Sequence, residues 1–180
     1  MRYLEVRRHS ICVAPSEHLS QMGISLARQV GEAMGPFQLV ISSTLPRAIE
    51  TAIAMGFAVD ERIPQLNATS LALNAEVPWE SAFAALALAM ARGDATARFG
   101  MGQAGLWRSF AMRMRDGQRA LIIGHGGVIE AGAVVCLPMA DHAAWGAALG
   151  YCEGVCLAFD GDMFVSGEVL RVAEASQRAG

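Results

Sequence analysis

The stretch LEVRRHSIC, residues 4–12, runs an alternating apolar pattern straight into two arginines and a histidine. With the residues before it, RYLEVRR has the period-two alternation of a strand, and the polar HSICVAPSEH has the composition of a connecting loop. Core packing does not select Arg8, His9 and Ser10 at such a strand end. RALIIGHGG, residues 119–127, has the same form: a continuous apolar strand delivers His125, with Gly126 and Gly127 behind it. A third strand, FQLVISS, ends in Ser42 and Ser43 and is followed closely by Arg47.

The segments between these strands read as helices. Ser20 suits the N-cap of QMGISLARQVGEAM, whose Ile24, Ala27, Val30, Ala33 and Met34 lie on one face, with Gly35-Pro36 as its stop. Pro46 suits the first turn of a second helix that continues through RAIETAIAMG to Gly56. FAVDERI reads as another strand or a surface connection. Over residues 64–117 helical patterns replace the sheet signal, with Trp79, Phe83, Met101 and Trp107 expected in the core of a helical insertion. VIEAGAVVCL then reads as a helix, and two β-rich runs around the DGD of residues 160–162 as a hairpin. This order predicts one α/β domain over residues 1–180. It is a three-layer α/β/α arrangement with a mostly parallel central sheet, the 64–117 helical insertion over the C-terminal edge of the strands, and a C-terminal β-hairpin.

Composition narrows the classes of partner. A chain of 180 residues with 53% hydrophobic content fills a single core. Fourteen Lys+Arg against 17 Asp+Glu, with no basic tract, argue against a nucleic-acid partner. Charges in MRYLEVRRHS occupy the place of a signal peptide's apolar region, and runs such as FAALALAMA are about half the roughly 20 residues a bilayer crossing takes. A cytoplasmic protein with no membrane association is expected. Cys12, Cys136, Cys152 and Cys156 show no C-x-x-C pairing and read as small buried hydrophobes. The histidines lack a zinc pattern, so no metal and no cofactor are expected, and His142 is placed at the surface. Oligomeric state is left open.

In open parallel sheets the carboxyl ends of the strands share an edge where ligands bind. Arg8, His9, Arg47 and His125 gathered there form a compact cationic pocket, and planar guanidinium forks match phosphate oxygens. A helix starting after His125 would aim backbone N–H groups at an anion, with Gly126 and Gly127 allowing close approach. His9 can attack phosphorus through one ring nitrogen if a backbone acceptor holds the proton on the other, and the two arginines disfavour its protonated form. His125 can donate to the phosphoryl oxygens. Arg7 points to the opposite face from Arg8 because strand side chains alternate, and reads as structural. Ser42 and Ser43 read as turn formers. His18 either reaches the substrate from its loop or lies in solvent.

Taken together these segments resemble the histidine phosphatase superfamily, or phosphoglycerate mutase-like family. RRHS resembles its Arg-His-Gly motif, LSQMGISLARQVGEAMG its first helix, SSTLPRAIETA its second-arginine motif and GHGGVI its second-histidine motif, in the same order over most of the chain. The resemblance implies a metal-independent phosphomonoester hydrolase in which His9 is transiently phosphorylated. Arg8, Arg47 and His125 would hold the phosphate, and Ser10, Gly126 and His18 would lie against the substrate, a phosphorylated small molecule or phosphoprotein. A protein phosphohistidine phosphatase, a phosphoglycerate-mutase-like phosphotransferase and a noncatalytic phospho-ligand-binding protein stay open as alternatives.

Two positions depart from the family pattern. Ser10 stands where glycine is usual, a change whose cost depends on the local φ. Gln65 stands where a glutamate often donates the proton to the leaving group, help typically worth about 10²–10⁴-fold. Glu76 or Glu80, at the start of the insertion, is the expected substitute; otherwise the leaving group needs no acid, as in phosphohistidine, acyl phosphates and aryl phosphates.

Overall fold

The computed structural model describes residues 1–13, 16–67, 77–78 and 81–173. Six strands form one sheet: β1 (Arg2–Arg8), β2 (Leu39–Ser42), β3 (Glu61–Arg62), β4 (Arg119–Gly124), β5 (Gly154–Asp160) and β6 (Met163–Leu170). Their spatial order is β3-β2-β4-β1-β5-β6. The first four strands run parallel, and β5 and β6 add an antiparallel hairpin at one edge. β4 enters between β1 and β2, which makes the point where the strand order reverses.

The helices are α1 (Gln21–Gly31), α2 (Pro46–Ala54), α3 (Phe83–Met90), α4 (Ala95–Met112) and α5 (Val128–Cys136). The alternation along β4 assigns them to layers. Ala120 and Ile122 pack with Leu4, Val6, Trp107, Phe110 and Ile129, while Leu121 and Ile123 pack with Leu26, Ala27, Ala48 and Ala52. A parallel strand buried on both faces must be apolar at successive positions, which is why ALIIG carries no polar residue. Each fully buried Leu or Ile here is worth about 1.5–3 kcal/mol of transfer free energy.

Helix starts follow their caps. Ser20 Oγ accepts from Gly23 N, and Pro46 opens α2. The end and face of α1 differ from the sequence reading. The helix closes at Gly31 because Ala33 N and Met34 N bond three residues back, to Val30 O and Gly31 O, tightening the chain before Gly35. Its buried residues are Gly23, Leu26, Ala27 and Gly31, and Ala33 is exposed. The buried stripe is built partly on glycines, which an apolar count misses: a Cβ at Gly23 would lie 2.0 Å from Ile11 O, and one at Gly31 2.2 Å from Met55 O.

Within the stretch 64–117, the described helix α4 packs into the main core. Trp107, Phe110 and Ala111 of α4 are buried in the main core with Leu4 and Ile129. Phe83 is also core, but Met101 is exposed on the outer side of α4. His142, expected at the surface, is buried edge-on against Trp145, 4.9 Å between ring centroids. Residues 68–76 and 79–80, Trp79 included, lie outside the described residues. Cys136 and Cys152 are buried, Cys12 and Cys156 half-buried, and all four are free thiols. Among the described residues no helix is long and apolar enough to cross a membrane.

Close contact between α4 and α5 depends on Gly132, where a Cβ would fall 2.5 Å from the fully buried Trp107 ring. Gly132→Ala is expected to destabilise the protein by about 1–3 kcal/mol through overpacking. A lowered urea midpoint with an unchanged m-value, followed by tryptophan fluorescence, checks this.

Candidate active site

The register of β1 on β4 pairs Arg8 with Gly124, so the next residues, His9 and His125, leave neighbouring strands side by side. His9 N donates to Gly124 O at 3.0 Å, and Ser43 N, leaving β2 on the other side, donates to Ile123 O at 3.0 Å. The two imidazoles lie 5.1 Å apart between centroids and are both buried.

Two contacts fix the His9 tautomer. Nδ1 lies 2.7 Å from Ser10 O, a carbonyl that can only accept, so Nδ1 carries the proton. Arg47 Nε, which can only donate, lies 3.2 Å from His9 Nε2, so Nε2 presents its lone pair. His125 Nε2 is 2.8 Å from Ser43 Oγ, and its Nδ1 has no partner among the described residues. Burial is the main cause that lowers His9 to about 4; Arg47 and Arg8 add to it, against the Ser10 carbonyl bond, which raises it. Burial also dominates at His125, lowered to about 3, with His9, Arg47 and Arg8 contributing. The pair is neutral at pH 7.

Arg8 forms one wall. Its Nη1 donates to Leu149 O at 2.6 Å and its guanidinium lies 4.8 Å from the Tyr151 ring centroid. A Cβ on Gly126 would stand 3.2 Å from that guanidinium, so glycine there serves the close approach of Arg8. Arg7, on the other face, donates to Glu5 at 2.6 Å and to Cys152 O at 2.8 Å, the structural role expected of it. Arg47 also extends Nη1 to Glu17 at 3.3 Å. Among the described residues no group of three or more His, Cys, Asp or Glu is arranged to hold a metal ion.

No family model and no curated protein matches the sequence. Solved structures do. The chain is similar to a phosphoserine phosphatase from Entamoeba histolytica in complex with 3-phosphoglyceric acid, with a TM-score of 0.68 and 18% identity over 92% of this chain and 94% of that one. It is similar to a mycobacterial glucosyl-3-phosphoglycerate phosphatase in complex with VO3, at TM-score 0.67 and 20% identity over 96% and 100%. A putative alpha-ribazole-5'-P phosphatase from Escherichia coli gives 0.64 and 18% over 96% and 98%. The chain shares the fold of these solved phosphatase structures.

Within this fold several expected site residues make other contacts. Ser10 is fully buried and turns its hydroxyl away, Oγ donating to Gly23 O at 2.7 Å while its N–H donates to Thr51 Oγ1. It is not among the residues with positive φ, so serine fits without strain, and it contributes to the site through its carbonyl. His18 is paired with Glu50 on α2, its side chain 66% exposed, and its bond goes there rather than to the imidazole pair. The Gly127 N–H, expected to face an anion, donates instead to Glu130 Oε2 at 2.6 Å. Glu130 is buried, which pushes its carboxyl up, and its other oxygen accepts from Leu149 N at 2.9 Å. Gln65 is exposed, and its carbonyl accepts from Gln103 Nε2 at 2.8 Å. Glu76 and Glu80 lie outside the described residues.

Other participants gave no clear signal in the sequence. Ser43 reads as a turn former until its hydroxyl is seen on His125. Tyr151 and the Leu149 carbonyl come from a loop with no motif, held by Arg171. That side chain donates to Trp145 O, Ala147 O and Ala148 O at 2.6–3.0 Å and to Glu153 Oε2 at 2.7 Å.

The neutral imidazoles tie stability to pH. The unfolded chain protonates its histidines near 6.5 and the folded one only near 4 and 3, so between these values the folded state binds fewer protons. Their contribution is complete above about pH 6.5 and is lost as pH falls through about 4, with the His9 shift alone corresponding to about 3 kcal/mol. Chemical denaturation of wild type and His9→Gln between pH 4 and 7 checks this: the variant is expected to lose less stability on acidification.

Proposed function

We propose that this protein is a phosphomonoester hydrolase acting through a transient phosphohistidine at His9. The observation that carries the reading is the doubly fixed His9 ring, with its proton on the Ser10 carbonyl and its lone pair toward Arg47. An incoming phosphate displaces the Arg47 bond to Nε2 and takes up the freed guanidinium, with Arg8 on its other side. Nε2 then attacks phosphorus in line, the P–O bond breaks, and the leaving group departs with its electron pair. The dianion raises the pKa of the adjacent His125, so that this ring gains a proton on binding and stabilises the phosphoryl oxygens as charge redistributes. Water hydrolyses the phosphohistidine, releasing phosphate and restoring the ring.

The similar structures named as phosphatases of phosphoserine and glucosyl-3-phosphoglycerate favour a phosphorylated small molecule as substrate. Gln65, in the place of the usual acid, favours leaving groups that need no proton. These are aryl and acyl phosphates and, as a second reading, phosphohistidine on a protein. Binding without turnover is the competing possibility.

p-Nitrophenyl phosphate assays test the chemistry. His9→Ala is expected to fall to background and to lose the acid-labile phosphoenzyme, with hydrolysis at the parental rate refuting the proposal. The wild type is expected to turn over aryl phosphates about 10²–10⁴-fold faster than alkyl phosphates of similar size. Equal kcat/KM for the two classes would indicate that a proton donor is present.

A further inference from the structure

Hydrolysis of a phosphohistidine needs a group to take a proton from the attacking water. Among the described residues, the buried carboxylates near the site are committed elsewhere. Glu130 accepts from Gly127 N and Leu149 N; Glu5 accepts from Arg7 and Arg119; Glu153 accepts from Arg171, Gly150 N and Val172 N. Glu50, on α2, accepts from His18 and Leu19 N. Removing any of these oxygens from its N–H partner would expose a broken backbone or ion-pair contact.

Glu17 is placed differently. One oxygen meets Arg47 Nη1 at 3.3 Å, and the other has no hydrogen bond among the described residues. The side chain is 54% exposed, open to water. Through the single planar Arg47 guanidinium it is joined to the nucleophile, since Nε of the same group lies on His9 Nε2. Glu17 thus turns a carboxylate oxygen, an acceptor with no hydrogen bond among the described residues, toward solvent beside Arg47.

We propose that Glu17 is the general base of the second half-reaction, an inference that rests on the phosphohistidine mechanism above. Water oxygen forms a bond to phosphorus, the P–Nε2 bond breaks with its electron pair returning to His9, and the water proton passes to the Glu17 carboxylate and then to solvent. Arg47 holds Glu17 within one guanidinium of His9 Nε2.

Glu17→Gln tests this by rapid quench with p-nitrophenyl phosphate. The amide oxygen keeps an acceptor for Arg47, so phosphorylation of His9 is expected to proceed within about twofold of the parent, giving a burst of one nitrophenolate per site. Steady-state turnover is expected to fall about 10²-fold, with acid-labile phosphoenzyme accumulating. The burst amplitude itself counts folded sites. Unchanged turnover, or an equal fall in burst rate and turnover, would overturn the assignment, the latter marking Glu17 as a positioning residue for Arg47. Absence of phosphoenzyme in both proteins would instead overturn the phosphohistidine mechanism and this inference with it.

Discussion

The parallel pairing of β1 with β4 is the constraint on which the site depends. Six consecutive residue pairs set the register, from Tyr3 with Arg119 to Arg8 with Gly124. A slip by one residue would turn Leu4 and Val6 out of the α5 side of the sheet and send Arg8 to the face that Arg7 occupies. The register is held because β4 is buried on both faces, so each of its apolar side chains fills a place in one of two separate clusters. The meeting of His9 and His125 is therefore a consequence of core packing, though neither ring belongs to the core.

Desolvation gives the imidazoles their character. Rings this deeply buried, beside two guanidinium groups, are neutral well below physiological pH. A neutral ring is what a nucleophile requires, and the orientation of its proton is fixed by the chain itself, through the carbonyl of the very next residue. Arg8 and Arg47 approach from opposite sides of the sheet edge. Arg8 is braced by a loop carbonyl and an aromatic face, and Arg47 by its place in the first turn of α2.

The wall that braces Arg8 shows how far a site extends into the rest of the fold. Glu130 ties the start of α5 to Leu149, whose carbonyl receives Arg8. Arg171, just after β6, gathers three carbonyls and Glu153 of the same loop. The Glu130 bonds are to backbone N–H groups from a buried side chain, the kind that cost most when the partner is removed. The residue that follows the C-terminal hairpin thus braces the loop against which Arg8 rests.

Local signals in the chain specify the set of elements and the strand-end residues. The alternation in RYLEVRR, the unbroken ALIIG, Ser20 as a cap, Pro46 at a helix start and the DGD turn are local signals, each read from a few neighbours, and each corresponds to the element found. The arginine and histidine positions stood out because strand ends in a core have no other use for them. Tertiary structure alone decided the rest. It built the buried stripe of α1 partly on glycines, carried α4 into a layer, buried His142 and turned the Ser10 hydroxyl toward Gly23 O. It also gave Ser43, Glu17, Tyr151 and Arg171 their partners, and kept the Gly127 N–H for Glu130. Those roles depend on contacts between residues as far apart as Arg8 and Leu149, and such contacts follow from how layers close around the sheet, which no local pattern records.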